Sequence, residues 1–466
     1  MYEDYKGKFL KIILALVDIT LMYGGFFVAN WVLHHLSIEN MESFSTYSSL
    51  MLLAATSVFV FYLYDLYADW RRKSIQHLVY SIVLSMAAFT GIEVIISIWA
   101  LNLAFKPSFI FVAFLIQTVL LTCTRVCIWY INKKLHGKKK VYIIGDDSNT
   151  GLYIASKFLN HQKKGWFEIL GFIPIAKKSL INDYVTKCDL FLISPTIRME
   201  DKEEIVRYCN KHGKEILLVP QYFELSVLGG NTQQIDDMLV ISITPPRLSV
   251  GQQIYKRMFD LVISLIVLVI TSPFLLVLFL LIPLTSKGPA VYKQERIGLN
   301  GNPYWVYKFR SMIQDAEKKT GPVLASVKDP RITLIGRLIR AVRLDELPQL
   351  FNVLKGDMSL VGPRPERKHF INLFKQKLPE YSYRLTVKPG ITGLAQVLAN
   401  YTTPVEDKLR FDLLYVRNSS LLLDLKILLQ TIRVVLQPEQ AQGVKEANVH
   451  NQKLLNKLEQ NKVINH

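Results

Sequence analysis

The stretch Lys256-Arg257-Met-Phe-Asp260-Leu-Val-Ile-Ser-Leu-Ile-Val-Leu-Val-Ile-Thr-Ser272-Pro273-Phe-Leu-Leu-Val-Leu-Phe-Leu-Leu-Ile-Pro-Leu284 decides how the chain meets a membrane. Its apolar run, 261–284, supplies the ~20 residues that a membrane helix needs. Ser272-Pro273 interrupts it at the midpoint, where proline removes a backbone hydrogen bond and clashes with the preceding turn. Both flanks are basic, with Lys256 and Arg257 before the run and Lys287, Lys293 and Arg296 after it. A spanning helix would put everything after Thr285 outside the cell, basic flank included, against the preference of Lys and Arg for the cytoplasmic face. A helix that bends at Ser272-Pro273 and returns to its starting face satisfies both facts, with Ser272 capping the freed backbone groups. The expectation is therefore a re-entrant helix over 258–284; the alternative is a proline-kinked spanning helix.

Working outward, the 466-residue chain is 50% hydrophobic and 20% charged, with a net charge of +18. Soluble domains are usually poorer in apolar residues and nearer 25% charged. Such a basic balance first suggests nucleic acid, but in so hydrophobic a chain anionic lipid or a phosphorylated substrate fits better. Four apolar runs, 9–36, 47–67, 78–101 and 109–131, predict a four-helix transmembrane bundle. Lys6, Lys8 and Lys11 precede the first run, Arg71, Arg72 and Lys73 follow the second, and Lys133, Lys134 and Lys138 to Lys140 follow the fourth. The other two connections carry only Lys106, so both ends of the bundle are expected on the cytoplasmic side. Trp31, Trp70, Trp99 and Trp129 lie near the run ends as interfacial anchors would. Glu93 and Arg125, inside the runs, read as a structural pairing or as facing the bundle. Cys123 and Cys127 read as small core residues, and no cysteine pattern suggests a disulfide framework or a metal.

From Lys139 the composition turns soluble. Strands are expected at 141–145, 188–194 and 215–220, with helices at 150–160 and 200–212. That alternation predicts a parallel, doubly wound, Rossmann-like sheet. Dinucleotide binding does not follow, because Gly145-Asp-Asp-Ser-Asn-Thr-Gly151 is not GxGxxG and its two aspartates would repel a pyrophosphate. Tyr153-Ile-Ala-Ser-Lys157 mimics a YxxxK pair but falls too early for one. A regulatory or spacing domain is the preferred reading.

Beyond the run at 261–284, a strand is expected over 304–312, carrying Lys308 and Arg310 on one face. Asp329-Pro-Arg331-Ile-Thr333, with Asp329 or Thr333 able to cap, opens a helix whose stripe Ile332, Ile335, Leu338, Ile339 and Val342 has helical period. Arg337, Arg340 and Arg343 line another face, which suggests an interfacial amphipathic helix. Pro348 disfavours helical geometry before it, so this helix should end near Asp345 and a short one should run to Lys355-Gly356. Asp345 and Glu346 would then sit at a helix N-terminus, where N–H groups favour anions. In Gly362-Pro363-Arg364-Pro365 two prolines restrict the backbone, holding the Arg364 guanidinium ready for a bidentate phosphate contact. Residues 412–436 read as another interfacial helix, and the tail from Pro438 is polar.

These residues resemble the bacterial sugar transferases of the polyprenyl-phosphate hexose-1-phosphate class, the large monotopic phosphoglycosyl transferases. The pieces that match are Lys256-Arg257-Met-Phe-Asp260, Ser272-Pro273, Gln294-Glu-Arg-Ile-Gly298, Tyr307-Lys-Phe-Arg-Ser-Met312 and Asp329-Pro-Arg-Ile-Thr333. They continue in Leu344-Asp-Glu-Leu-Pro-Gln349, Lys355-Gly-Asp-Met-Ser-Leu-Val-Gly-Pro-Arg-Pro365 and Lys388-Pro-Gly-Ile-Thr-Gly393. One departure is Leu394, where members usually carry an aromatic, together with the absence of the Asn-Gly that often follows.

The resemblance implies a membrane protein of α plus α/β class in four parts. Four transmembrane helices occupy 1–136 and a Rossmann-like cytoplasmic domain 137–249. An α-rich monotopic catalytic domain occupies 250–437, with the re-entrant helix and interfacial amphipathic helices, and a polar tail 438–466. It also implies transfer of a hexose-1-phosphate, usually of glucose or galactose, from a UDP-sugar to undecaprenyl phosphate, releasing UMP. Asp345 would be the nucleophile, passing through an aspartyl-phosphosugar, and Glu346 would orient a metal or assist proton transfer. Mg²⁺ would be held by Asp345 and Glu346. Phosphate would be held by Arg340 and Arg364, with Pro363 and Pro365 shaping the loop and Lys308, Arg310 and Arg331 as further candidates. The site would face the cytoplasm at the bacterial inner membrane, in a homodimer, at the first membrane step of exopolysaccharide, capsule or O-antigen synthesis. Three rivals fit less well. A tethered nucleotide-sugar dehydratase would need GxGxxG and a placed YxxxK after residue 250, an inverting glycosyltransferase a DxD motif, and an inactive assembly scaffold would not keep Asp345, Glu346 and Arg364.

Overall fold

The computed structural model of the chain describes residues 2–36, 47–68, 75–99, 105–146, 154, 166–244, 248–314, 329–400 and 403–435. Two compact units divide between Val219 and Pro220.

In the first unit the four N-terminal apolar runs fold as helices α1 (Tyr2–His35), α2 (Tyr47–Leu63), α3 (Ile75–Trp99) and α4 (Pro107–His136). Segments of α1, α3 and α4 are long and apolar enough to cross a membrane; α2 has 17 described residues. Close packing of α1 on α4 depends on Gly25, where a Cβ would stand 2.3 Å from Gln117 Cγ, and Gln117 Nε2 donates to Met22 O at 2.9 Å. Arg125 is paired, but with Asp18 of α1 at 2.5 Å, both side chains at most 3% exposed. Removing one partner of so buried a pair costs about 3–5 kcal/mol. Glu93 faces the bundle interior, as expected. Cys123 and Cys127 are exposed rather than core residues: an all-apolar helix carries no period that separates its lipid face from its bundle face. Trp129 is buried against Trp166 rather than exposed at an interface.

Strands β1 (Lys139–Gly145), β2 (Phe167–Pro174), β3 (Leu190–Ile193) and β4 (Glu215–Leu218) form one sheet in the order β2-β1-β3-β4, every pair parallel. β1 is central, and its residues 141–144 form the continuous apolar run that a strand buried on both faces requires. Helix α5 (Met199–Lys211) lies between β3 and β4 in sequence and buries Ile205 and Cys209 against the sheet. The expected helix at 150–160 falls outside the described residues save Ile154. β2 was not expected.

The second unit opens with α6 (Tyr222–Leu228) and an antiparallel hairpin, β5 (Asn231–Ile235) and β6 (Met238–Ser242). Helix α7 (Val250–Thr285) is capped by a reciprocal Ser249–Gln252 box and contains Pro273 and Pro283. It begins eight residues before the expected re-entrant segment, since Val250 rather than 258 is its first residue. Pro273 deprives Val269 O of its usual donor, and Ser272 Oγ donates to that carbonyl at 2.8 Å. One stripe of α7, Asp260, Ser264, Leu268 and Ile282, is buried. Around it Val269, Ile270, Phe274, Leu276 and Leu284 are each at least 62% exposed, an apolar surface far beyond what water tolerates.

An antiparallel pair follows, β7 (Val291–Ile297) and β8 (Pro303–Phe309), then helices α8 (Leu334–Ala341) and α9 (Gln349–Lys355). β9 (Ser359–Val361) pairs in parallel with β10 (Gly390–Thr392), with α10 (Lys368–Lys377) and a 3-10 segment Pro379–Thr386 between them. The unit closes with α11 (Leu394–Leu398), α12 (Val405–Asn418) and α13 (Leu421–Val435). The single interfacial helix expected over 412–436 is thus two helices, and three of its charges, Asp412, Asp424 and Arg433, are buried. Asp412 and Asp424 are at most 4% exposed, paired with Arg384 and Lys256. Leu394 joins the core beside Val397 and Tyr415.

Candidate active site

Asp345 and Glu346 lie in a 3-10 turn, Leu344–Glu346, between α8 and α9. α8 is capped by Thr333, whose Oγ1 accepts from Gly336 N at 2.9 Å. Asp329 does not cap: its carboxylate binds Arg331, Nε at 2.8 Å and Nη2 at 2.5 Å. A Cβ on Gly336 would stand 1.9 Å from Ser311 O, so the helix can start against β8's exit only with glycine there. α8 ends at Ala341, and Arg343 takes φ +57°, a left-handed conformation costing about 1 kcal/mol or more for a side-chain residue. That reversal turns the chain back so that 344–346 lies along β8. The carboxylates therefore precede the first turn of α9 rather than forming it, as Pro348 and Gln349 begin that helix.

Four cations converge on the pair. Glu346 Oε1 accepts from Lys308 Nζ at 2.8 Å and from Arg364 Nη2 at 2.9 Å, and Oε2 lies 4.0 Å from Arg343. Arg340, in the last turn of α8, contributes charge at Asp345. Burial raises Glu346, but Lys308, Arg364 and Arg343 outweigh it and hold this carboxyl well below its usual range. Asp345 is different. Among the described residues no side chain hydrogen-bonds to its carboxylate, and burial, then the charge of Glu346, push it up to about 6 against the pull of Lys308, Arg340 and Arg364. One carboxylate is thus locked by cations and its neighbour is left available, the separation of roles expected of a nucleophile and its supporting group. As a nucleophile Asp345 would attack only in its ionised form, so kcat/KM would fall about tenfold per pH unit below its pKa and stay flat above it. An ordinary aspartate would hold the rate level down to about pH 4. Steady-state rates from pH 4.5 to 8 decide between these.

The framework around the pair is rigid. Asn352, fully buried, donates to Trp305 O at 2.7 Å and accepts from Tyr307 N at 3.1 Å, tying α9 to β8 and hence fixing Lys308. Arg257 donates to Val353 O (2.6 Å) and Leu354 O (2.8 Å), satisfying carbonyls at the C-terminal end of α9. The Arg364 loop is closed by glycines. A Cβ on Gly390 would meet Gly362 N at 2.1 Å, so β9 and β10 approach only because neither residue has a side chain. Pro363, Arg364 and Pro365 line a small cleft with Ile297, Gly298, Val387 and Pro389.

The structure therefore gathers Asp345, Glu346, Lys308, Arg340 and Arg364, and adds Arg343. Two sequence candidates go elsewhere. Arg310 donates to Ser286 O (2.5 Å) and Pro289 O (2.7 Å), closing the C-terminal end of α7. Arg331 is held by Asp329 as described above. The expected apolar stripe also splits, since Ile339 is 1% exposed in a core with Phe309 and Ile282 while Leu338 and Val342 are 70% and 46% exposed. Among the described residues no three His, Cys, Asp or Glu side chains cluster as a metal site. Sequence reasoning missed Arg384, Asp412, Asn352 and the Lys256–Asp424 pair; only their partners, far away in the chain, mark them.

The bacterial sugar transferase family matches residues 251–438. The UDP-N-acetylgalactosamine-undecaprenyl-phosphate N-acetylgalactosaminephosphotransferase of Aeromonas hydrophila is 45% identical over 184 residues, 39% of this chain and 43% of that relative. The chain thus spans less than half the length of that protein. The UDP-glucose:undecaprenyl-phosphate glucose-1-phosphate transferase of Escherichia coli is 30% identical over 331 residues, 67% of this chain and 70% of the relative. The undecaprenyl-phosphate galactose phosphotransferase of Salmonella typhimurium is 32% identical over 348 residues, 67% of this chain and 71% of the relative. With motifs, site and this breadth of similarity in agreement, the chain belongs to the bacterial sugar transferase family.

Proposed function

We propose that this chain transfers a hexose-1-phosphate from a UDP-sugar to a polyprenyl phosphate, undecaprenyl phosphate by the names of its relatives, at the cytoplasmic face of the membrane. The observation that carries the reading is Asp345: a carboxylate to which, among the described residues, no side chain hydrogen-bonds, beside a carboxylate locked by Lys308 and Arg364, on a unit built around an apolar helix. An Asp345 oxygen attacks the β-phosphorus, the bond to the bridging oxygen breaks, and UMP leaves with those electrons. A phosphate oxygen of the polyprenyl acceptor then attacks the aspartyl phosphate and restores the carboxylate. Arg364, Lys308 and Arg340 stabilise the charge on the transferring phosphoryl group, and Glu346 keeps two of these cations in place. Asp345 fits as a ligand for Mg²⁺, which binds through one or two carboxylates together with substrate phosphates and water. Glu346 fits poorly, because Lys308 and Arg364 already hold its Oε1. When bound, the ion supplies neutralisation of the donor diphosphate.

Membranes containing the chain, incubated with UDP-sugar labelled in the β-phosphate, should yield labelled protein and free UMP, and the label should move to lipid once polyprenyl phosphate is added. UDP as the nucleotide product would rule out this chemistry. The relatives' names carry three sugars, so UDP-glucose, UDP-galactose and UDP-N-acetylgalactosamine are the donors to try.

The re-entrant arrangement of α7 is supported by how its two ends are held. Near its start Lys256 binds Asp424 and Asp260 accepts from Leu360 N at 3.1 Å; past its end Ser286 is held by Arg310. One polar unit therefore grips both ends, which a helix crossing ~30 Å of hydrocarbon would put on opposite faces. Single cysteines at Gln252 and Lys287, in a background without native cysteines, should both react with an impermeant maleimide only from the cytoplasmic side. Labelling of the Lys287 position in intact cells would make α7 a spanning helix instead. The exposed hairpin β5–β6, with Ile235, Met238 and Leu239 each at least 55% exposed, favours a second copy of the chain as its cover. The parallel sheet over 139–218 takes no part in this chemistry and is assigned a spacing or regulatory role.

A further inference from the structure

The loop that presents Arg364 is held by its own carbonyls. Val361 O accepts from Lys256 Nζ (3.2 Å) and Tyr415 OH (3.0 Å), Pro363 O from Gly390 N (3.0 Å), and Pro365 O from Arg296 Nη1 (3.2 Å). The carbonyl of Arg364 itself accepts from Arg384 Nη2 at 2.8 Å. Arg384 is 4% exposed and fully engaged: Nε donates to Asp412 Oδ2 at 2.9 Å, Nη2 lies 2.8 Å from the same oxygen, and Nη1 donates to Tyr381 OH at 3.0 Å. Asp412 sits on α12 and is equally buried.

Stability alone is a weak reason for such a pair, because burying two charges costs desolvation that a well-packed apolar pair avoids. What the pair does provide is direction. A guanidinium fixed on two sides by Asp412 and Tyr381 aims its remaining donor at one carbonyl, and that carbonyl precedes the constrained bond to Pro365. Orienting this peptide orients the Arg364 side chain, whose Nη2 reaches Glu346 at 2.9 Å. Arg384 touches the small cleft beside Pro363–Pro365, but it is 4% exposed and each of its guanidinium nitrogens is already hydrogen-bonded within the protein.

We propose that Arg384 and Asp412 are a positioning pair that acts on the transfer reaction through Arg364, setting its guanidinium against Glu346 and the donor diphosphate. The proposal rests on the transferase reading above. A lysine at 384 keeps the charge for Asp412 but lacks the fork needed to reach Arg364 O as well.

The test is a double-mutant cycle on the full-length chain in lipid nanodiscs, read as UMP release from the three UDP-sugars named above with polyprenyl phosphate present. Arg384→Lys is expected to lower kcat/KM about thirtyfold, mainly by raising the KM for the donor. In an Arg364→Lys background the same change should cost less than about threefold, because the residue it acts through is already altered. Equal losses in both backgrounds, or no loss in the parent, overturn the proposal. If Arg384→Lys lowers the melting temperature sharply, Arg384→Met with Asp412→Leu removes both charges together. That variant should fold, show the same loss, and again be nearly silent beside Arg364→Lys; a folded variant of full activity overturns the proposal. A parent chain that releases no UMP from any donor overturns the transferase reading and this inference with it, whereas an active parent without coupling defeats the inference alone.

Discussion

Asp345→Asn is expected to lower UMP release by about four orders of magnitude or more, the scale seen when a covalent nucleophile is removed, and to abolish phosphate label on the protein. The same change should leave the protein as stable as before or more so. Asparagine is isosteric, and the carboxylate it replaces has no hydrogen-bonding side chain to lose among the described residues. Burial and Glu346 raise the Asp345 carboxyl from 3.8 to about 6 in the folded chain. The folded state then holds that proton more tightly than the unfolded one, so stability falls as pH rises through this window and the full penalty remains above it. At one pKa unit per 1.36 kcal/mol the penalty is about 2–3 kcal/mol at pH 7.5. An uncharged asparagine escapes it. Melting curves in nanodiscs at pH 7.5 check the stability half, and a melting temperature lowered by several degrees would mean that the Asp345 carboxylate makes a stabilising contact. Loss of function with retained or raised stability is the pattern of a group held at a site for its chemistry.

What could be read from the chain alone follows from the range of the interactions involved. Locally encoded features were legible: the apolar runs, the strand at 141–145, the strand expected over 304–312 as far as Phe309, the Thr333 cap, the Gly356 stop and the bond from Ser272 across Pro273. Each depends on residues within a few positions of one another. Asp345, Glu346 and Arg364 were legible for another reason, namely ordered motifs that resemble a family. The features that escaped are all tertiary. Arg125 gave no hint of Asp18, 107 residues away. Asp412, Asp424 and Arg433 occur at spacings that a solvated helix face also shows, and only the buried partners Arg384 and Lys256 reveal two of them as interior ion pairs. Arg310 reads as a phosphate ligand because it alternates with Lys308. The strand ends at Phe309, however, so the next side chain turns to the carbonyls at the end of α7. A motif thus marks where chemistry or close packing happens without saying which residue does which.

That distinction bears most on Glu346, whose substitution carries the second large effect. Glu346→Gln keeps the shape of the side chain and removes the charge that holds Lys308 and Arg364 together. Lys308 and Arg364, with side chains 23% and 42% exposed, then lack their counter-ion, and solvent screening keeps the cost below the roughly 3–5 kcal/mol of a fully buried arrangement. Turnover should drop by about a thousandfold, since both cations must lie on the transferring phosphoryl group and removing one such preorganised donor costs about 10²–10³. The effect on Asp345 runs the other way. Its raised pKa owes its second contribution to the Glu346 charge, so Glu346→Gln should make Asp345 more acidic. The acid limb of the residual activity should then move towards lower pH, where an inert spacer at 346 would leave it in place. Adding Lys308→Met removes one of the two stranded cations and should recover part of the lost melting temperature without recovering turnover, because the phosphoryl group has then lost a ligand. Recovered turnover in that double variant would mean that Lys308 serves only to neutralise Glu346. Unchanged melting in Glu346→Gln would mean that the three-way contact among Glu346, Lys308 and Arg364 is not what organises the site.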